Sequence, residues 1–400
     1  MTRPAQTVWL LGFTQIIGYG TLYYSFAILA SDISASFGWT PAGFFGVFSL
    51  SLLAGAMVAP AAGRALDQFG AARMMTIGSV ICAAAVAVAA VAPSGILFTM
   101  ALIVMQMASA FVFYDAAFPA VVQVSHDDGP RRIVHLTLIA GFASTVFWPL
   151  TSLLDEVMGW RNVMTLYAAA NLLLCMPLHA LVARLTSQDE AVSRATPRPT
   201  ANEVVHAKVP PEQLRRAMVL VTVGFSLSSF ALSAVLSQMV PMLTALGFGA
   251  GALAVSTLFG PAQVAVRFTN LIFGAGRHPL TIAVVALTLL PIGLLVAAFS
   301  APAYAGAVLF VVLVGLCSGL KSIVQGTVPL ALFGAGGFGA RLGFMASFRF
   351  ALGALAPFAF AFITEFASAA TAAIAFAAIG VLGVVALAAV AGMVNMRQNG

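Results

Sequence analysis

The chain has 400 residues, 61% of them hydrophobic and 8% charged, with a mean hydropathy of +1.04. A soluble domain carries about 25% charged residues, so a soluble fold is excluded and an all-α polytopic membrane protein is expected. The net charge is +6, but the cations are not clustered as a nucleic-acid surface requires, and nucleic acid is not an expected partner.

A helix needs about 20 apolar residues to cross a bilayer. Twelve such runs follow one another: 8–30, 43–62, 74–92, 96–120, 133–154, 162–183, 217–240, 251–273, 280–299, 303–328, 341–362 and 369–393. The first is too long for a secretory leader and lacks a cleavage pattern. Proline and glycine recur inside these runs, which membranes tolerate because neighbouring groups satisfy the backbone. If both termini lie inside, 14 of the 18 lysines and arginines fall on the cytoplasmic side. The outer loops hold only Arg161, and Arg267, Lys321 and Arg349 fall within or near the ends of predicted spans. This split follows the positive-inside rule. The expectation is a multi-pass monomer of the plasma (inner) membrane, surrounded by lipid, with both termini cytoplasmic.

The polar stretch 184–216 divides the apolar chain into halves, 1–183 and 217–400. Its Ser187-Gln188-Asp189-Glu190 and Pro197-Arg198-Pro199 read as a flexible linker, with a short surface helix at 203–216. The halves echo each other. Phe69-Gly70-Ala71-Ala72-Arg73 follows the second span and Phe273-Gly274-Ala275-Gly276-Arg277 the eighth. Pro119 and Pro329 close the fourth and tenth, and Arg131 and Arg341 lead into the fifth and eleventh. Six-helix halves repeated in parallel are the architecture of a rocking transporter with a central site.

Few residues inside the spans carry chemistry. Arg267 ends an uncharged run that begins at Ala217. A guanidinium at bilayer depth costs at least ~2.5–3.5 kcal/mol and stays charged at any working pH. Arg267 is therefore either a ligand for a substrate anion or the partner of a carbonyl or carboxylate. Gly260, Gln263 and Arg267 share one helix face, and Pro261 can bend the helix there. Arg349 sits inside the eleventh span, and Lys321 lies two-thirds along the tenth; each is either a ligand or a snorkelling side chain. Asp115 is the one carboxylate inside a span. It either carries a coupling proton or pairs with Arg64, Arg73 or Arg131. Gln15, Tyr19 and Tyr23 repeat every four residues, which reads as a cavity-lining face of the first span, with Tyr24 beside it. Trp148-Pro149 lines the cavity or packs at a bend. Cys82, Cys175 and Cys317 read as small buried hydrophobes. His135 and His179 lie near helix ends without metal spacing. No Walker loop, nucleophile motif or paired carboxylate is present, so neither an enzyme nor an ATP-driven pump is expected, and no cofactor or metal.

The run Gly63–Arg73, with Gly63, Asp67, Gly70 and Arg73 in place and Gln68 where Arg is usual, resembles the loop 2–3 signature of the major facilitator superfamily. With twelve spans in two halves, the resemblance covers the whole chain. It implies the major facilitator fold and alternating access. Asp67 and Arg73 would hold loop 2–3 against the eleventh helix in one state and release it in the other. Gly18–Phe26 and Phe37-Gly38-Trp39-Thr40 resemble the oxalate/formate antiporter and monocarboxylate porter branch. That branch places a carboxylate-binding Arg in the eighth helix, matched by Arg267, and the oxalate carrier adds a cation in the eleventh, matched by Arg349. Monocarboxylate porters also keep an Asp one turn before the helix 8 Arg; Gln263 stands there, and the first span lacks their Lys. The expected function is secondary active transport of small organic anions, mono- or dicarboxylates, with protons or a counter-anion as coupling species. An efflux carrier for drugs or oxyanions such as arsenicals is the alternative, and a non-transporting membrane sensor the alternative of another class. Arg267 and Arg349 are expected to point into one central cavity, faced by Tyr19.

Overall fold

A bilayer offers the backbone no hydrogen bonds, so apolar runs of this length must satisfy their own amides as helices. The computed structural model describes residues 3–125, 128–195, 209, 211–249, 251–274 and 276–395, which hold helices and no strand. Among them, nine helical runs are long and apolar enough to cross a membrane. One of these, Gly129–Ser187, has 59 residues, about twice what a bilayer needs. Gly159 (φ 74°, ψ 157°) breaks it between the predicted fifth and sixth spans. The predicted first and eighth spans are helical too, outside those nine.

The chain forms two compact units. Unit 1 comprises Met1–His206 with Gly334–Ser347, and unit 2 comprises Ala207–Phe333 with Phe348–Gly400. Unit 1 contains α1 (Arg3–Tyr19), a π-helical turn (Gly20–Tyr24), α2 (Ser25–Phe37), α3 (Pro41–Phe69) and α4 (Ala71–Val91). It continues with α5 (Gly95–Ser109), α6 (Tyr114–Val124), α7 (Gly129–Ala140), α8 (Ala143–Ala170), a second π turn (Asn171–Cys175) and α9 (Met176–Ala195). Local chemistry sets the starts. Thr40 accepts from the Gly43 amide at 3.0 Å, with Pro41 opening α3, and Ser94 accepts from Leu97 at the start of α5; both satisfy amides that a first turn leaves unpaired.

Helix α9 runs twelve residues past the predicted boundary at 183. Leucine, arginine, glutamine and alanine there are good helix formers, so a polar run after a span can prolong the helix. Half of the surface helix expected at 203–216 lies outside the described residues; in the rest, Pro211–Gln213 is a single 3-10 turn and α10 begins at Leu214.

A buried polar seam joins α1, α4 and α9. Thr14 donates to the Leu11 carbonyl and its hydroxyl lies 2.9 Å from Nε2 of His179. The other ring nitrogen, Nδ1, lies 2.8 Å from the Ser79 hydroxyl. Two turns away, the Asn171 amide donates to Thr21 and to the Tyr167 carbonyl, which brings the two π turns together. At one end of the unit, Phe37, Trp39, Phe98 and Trp160 form an aromatic cluster. Arg161 stacks on Trp160 and donates to the Ala90 and Ala92 carbonyls at the end of α4, satisfying groups that a helix end exposes.

Unit 2 contains α10 (Leu214–Leu243), a π turn (Thr244–Phe248), α11 (Gly251–Ser256), α12 (Phe259–Phe273), α13 (Pro279–Ser300), α14 (Tyr304–Phe333), most of α15 (Phe338–Phe366) and α16 (Ala369–Asn395). The eighth span is broken at Thr257–Leu258. Pro261 explains the break, because it has no amide to pair with the Thr257 carbonyl. Helices α12 and α14 meet along Gly315 and Gly319. A Cβ at Gly315 would lie 2.7 Å from the Phe259 carbonyl oxygen, and one at Gly319 2.5 Å from that of Gln263. Small residues at this spacing let helices in a bilayer approach closely.

Gly319→Val should force α12 and α14 apart. Overpacking of this kind costs about 1–3 kcal/mol, read as a lower unfolding midpoint of the purified protein. Gly392→Ala, where a Cβ meets nothing within 4 Å, is the matched control. Equal midpoints for the two variants would contradict the close seam.

Candidate functional site

In unit 1 the fourth span is not one helix. It stops at Ser109 and restarts at Tyr114, and Phe113 is extended (φ −76°, ψ −172°). Such a break frees carbonyls that must find partners. Gln15, fully buried, donates to the Val112 carbonyl at 2.6 Å. Tyr19 lies one turn further along α1 and stacks on Phe113, with centroids 4.3 Å apart, and beside Tyr114 at 4.9 Å. Asp115 sits in the first turn of α6, where a carboxylate complements the helix dipole.

The expected single face Gln15–Tyr19–Tyr23 does not continue to Tyr23. The π turn Gly20–Tyr24 adds a residue, so Tyr24 takes the place next to Tyr19, at 6.2 Å, and meets Trp148 edge-on. Tyr23 turns away, 40% exposed, towards Phe48 of α3. Gly20 is needed at this turn because any side chain would strike the ring of Phe147.

The signature loop makes a clamp within unit 1. Asp67 at the end of α3 accepts from the amides of Gly339 at 2.8 Å and Ala340 at 2.7 Å. These are two of the four amides that the start of α15 leaves unpaired, and the carboxylate also meets the positive end of the helix dipole. Glycines permit the approach: a Cβ at Gly63 would strike the Gly339 carbonyl, and one at Gly343 the Ala59 carbonyl. Gly70 (φ 87°) turns the chain into α4, a conformation that favours glycine. Arg73 does not join Asp67 on α15; it donates to Ser187 on α9 at 3.1 Å. The extension of α9 past 183 supplies that partner.

In unit 2, Arg267 is 4% exposed and Gln263 8%. Both lie against α14: Gln263 donates to Ser318 at 2.8 Å, and Arg267 Nε reaches the Gly319 carbonyl at 3.5 Å, the outer limit of a hydrogen bond. Nη1 of Arg267 is buried without a partner among the described residues. Gly260, on the same face, looks onto open space. Lys321 is 6% exposed and donates to Ser229 of α10 at 2.7 Å. Arg349, 9% exposed, lies with its guanidinium 4.9 Å from the Phe350 ring, and its charge acts on Lys321. Unit 2 therefore buries Arg267, Lys321 and Arg349. Its described acids are Glu212 and Glu365, both exposed.

Two features escape a reading by span. The run 213–364 contains no Asp or Glu at all, which a count of charged residues across that half would have shown. Tyr167, Asn171, Cys175 and His179 recur every four residues and mark the buried seam; the spacing was available, but the residues look individually unremarkable in an apolar run. Among the described residues no His/Cys/Asp/Glu group has metal-site geometry.

No curated protein sequence matches the chain. Solved structures share its fold. The human organic anion transporter MFSD10 (TETRAN) gives a TM-score of 0.76 at 14% identity, over 97% of this chain and 100% of that one. The Escherichia coli fucose:proton symporter FucP (N162A) gives 0.68 at 14%, over 95% and 97%. The proton:xylose symporter XylE, bound to 6-bromo-6-deoxy-D-glucose, gives 0.63 at 12%, over 96% and 93%. The Major Facilitator Superfamily sequence model matches residues 8–357. The chain is thus a multi-pass membrane transporter, not an enzyme, and belongs to the major facilitator superfamily.

Proposed function

We propose that the protein is a secondary active carrier of small organic anions, mono- or dicarboxylates, working by alternating access through twelve membrane-spanning helices in two six-helix halves. The observation that carries this reading is Arg267: a buried guanidinium whose Nη1 has no partner among the described residues, in a unit whose described acids are both exposed. A buried cation needs a counter-charge or matched hydrogen bonds, and a 3.5 Å contact to one carbonyl supplies neither fully. A carboxylate would supply both through two parallel bonds. The fold shared with a protein named as an organic anion transporter agrees with this substrate class; the sugar:proton symporters share the same fold, so the substrate argument rests on Arg267.

The efflux alternative draws on the aromatic cluster of Tyr19, Tyr24, Phe113, Tyr114 and Trp148, which suits a flat apolar body. Counterflow in proteoliposomes with a panel of mono- and dicarboxylates separates the two readings. Exchange of at least one small carboxylate is expected; exchange of none would leave the efflux reading.

A lysine keeps the charge but not the two-pronged geometry of an arginine. Arg267→Lys should weaken anion transport by roughly 1.5–3 kcal/mol, on the order of tenfold to a hundredfold, and Arg267→Ala should abolish it. Normal transport by both variants would contradict the anion site.

The clamp at Asp67 is proposed as a gate that forms in one state and opens in the other. Asp67→Ala removes both acceptors from the start of α15, a loss of about 0.5–2 kcal/mol by analogy with helix caps. Asp67→Asn keeps one acceptor but loses the charge and sets an NH2 donor against the other amide. Hydrogen exchange at the Gly339 and Ala340 amides should therefore rise from the natural protein to Asp67→Asn and again to Asp67→Ala. Equal protection in all three would remove Asp67 from the gate.

A further inference from the structure

This inference rests on the anion-carrier reading and concerns how the anion is coupled. Lys321 is buried and its Nζ bonds to one hydroxyl, that of Ser229 on α10. The surrounding elements offer it no carboxylate. Helix α12 carries Arg267, whose Nε reaches the Gly319 carbonyl two residues before Lys321, and α15 carries Arg349, whose charge acts on Lys321. Its own helix brings Cys317, one turn earlier. The other charges of α10, Arg215 and Arg216, are exposed at its start, and α11, α13 and α16 carry none.

Arginine and lysine differ in what they can do about such a site. A guanidinium keeps its charge at any working pH, so only an incoming anion can neutralise it. An amine has a second route, because it can release its proton. Ser229 serves either form: a hydroxyl accepts from an ammonium and donates to an amine. Among the described residues of unit 2, Lys321 is therefore the one buried cation able to change charge, and its partner fits both states.

We propose that Lys321 is the proton-coupling residue of unit 2. With the site empty it is an amine accepting from Ser229. When a carboxylate settles on Arg267, the added negative charge supports a further cation, and Lys321 takes a proton from the same solution that supplied the anion. The step is Lys–NH2 plus H+ plus RCOO− giving Lys–NH3+ beside RCOO−, with no electrons transferred. Release on the other side returns both. A monocarboxylate then crosses with a proton, without net charge, and no carboxylate of the protein takes part.

The chain has just two lysines, Lys208 and Lys321, so lysine labelled with 13C at the ε carbon gives two side-chain signals, assigned with Lys321→Arg. In the purified full-length protein at about pH 8, Lys321 should show the amine form without carboxylate and the ammonium form with saturating lactate or benzoate, while Lys208 does not change. An ammonium signal in both conditions would overturn the proposal. Both probes are first scored for counterflow, and a probe that does not exchange is replaced by a carboxylate of the panel that does: exchange of none removes the carrier reading itself, whereas counterflow without a Lys321 response removes only the proton role. In proteoliposomes with a pH dye inside, uptake of the transported monocarboxylate should be driven by a pH gradient and indifferent to a potassium diffusion potential. Lys321→Met and Lys321→Arg should lower the protons entering per anion to background and make the remaining uptake respond to the potential. Loss of the proton in Asp115→Asn but not in the Lys321 variants would place coupling on Asp115 and overturn the proposal.

Discussion

The constraint on which the structure depends is the cost of a cation in an apolar interior. Arg267 cannot shed its charge and, at 4% exposure, cannot reach water by snorkelling. The protein gives it a distant carbonyl and a neighbour, Gln263, already committed to Ser318. A fold that only needed stability would have replaced it with an apolar side chain, since well-packed apolar residues often match or exceed a buried ion in stability. The acid-free run 213–364 means that this stretch of the second half supplies no acid of its own to offset that cost.

Close helix packing through glycine puts the polar groups in place. Gly315 and Gly319 let α12 lie against α14, so that Gln263 and Arg267 meet Ser318 and the Gly319 carbonyl. Gly63, Gly339 and Gly343 let the end of α3 lie against the start of α15, so that a short aspartate reaches two backbone amides. In a bilayer, where apolar surface gives no preference for helix over lipid, packing and polar bonds decide which helices meet. Small residues therefore set both the α12–α14 seam and the clamp. In the clamp Asp67 accepts from two amides and its charge also acts on Arg341, interactions modest enough for a conformational change to break.

Much of this was legible in the sequence. Apolar runs reveal helices because the bilayer permits little else, and Arg267, Lys321 and Arg349 stood out because charge is expensive there. The signature Gly63–Arg73 pointed to loop 2–3 and its aspartate. The breaks were harder to see. Ala110–Phe113 carries no glycine or proline, yet the fourth span is interrupted there because Gln15 from another helix satisfies the freed carbonyl; that is a tertiary effect. The π turn at Gly20–Tyr24 defeated a four-residue spacing argument, which assumes a uniform helix and so put Tyr23 where Tyr24 lies. Arg73 found Ser187 because α9 continues beyond the apolar run, and hydropathy marks where a helix leaves the membrane rather than where it ends.

The most direct measurement is the position of a bound anion. Crystals of the full-length protein grown with bromobenzoate or bromoacetate would locate the bromine by its anomalous signal and the carboxylate by its density. A carboxylate within hydrogen-bond distance of Arg267 Nη1 is the expected result. A carboxylate bound elsewhere, with Nη1 satisfied by a group of the protein itself, would contradict the anion site on which the functional reading stands.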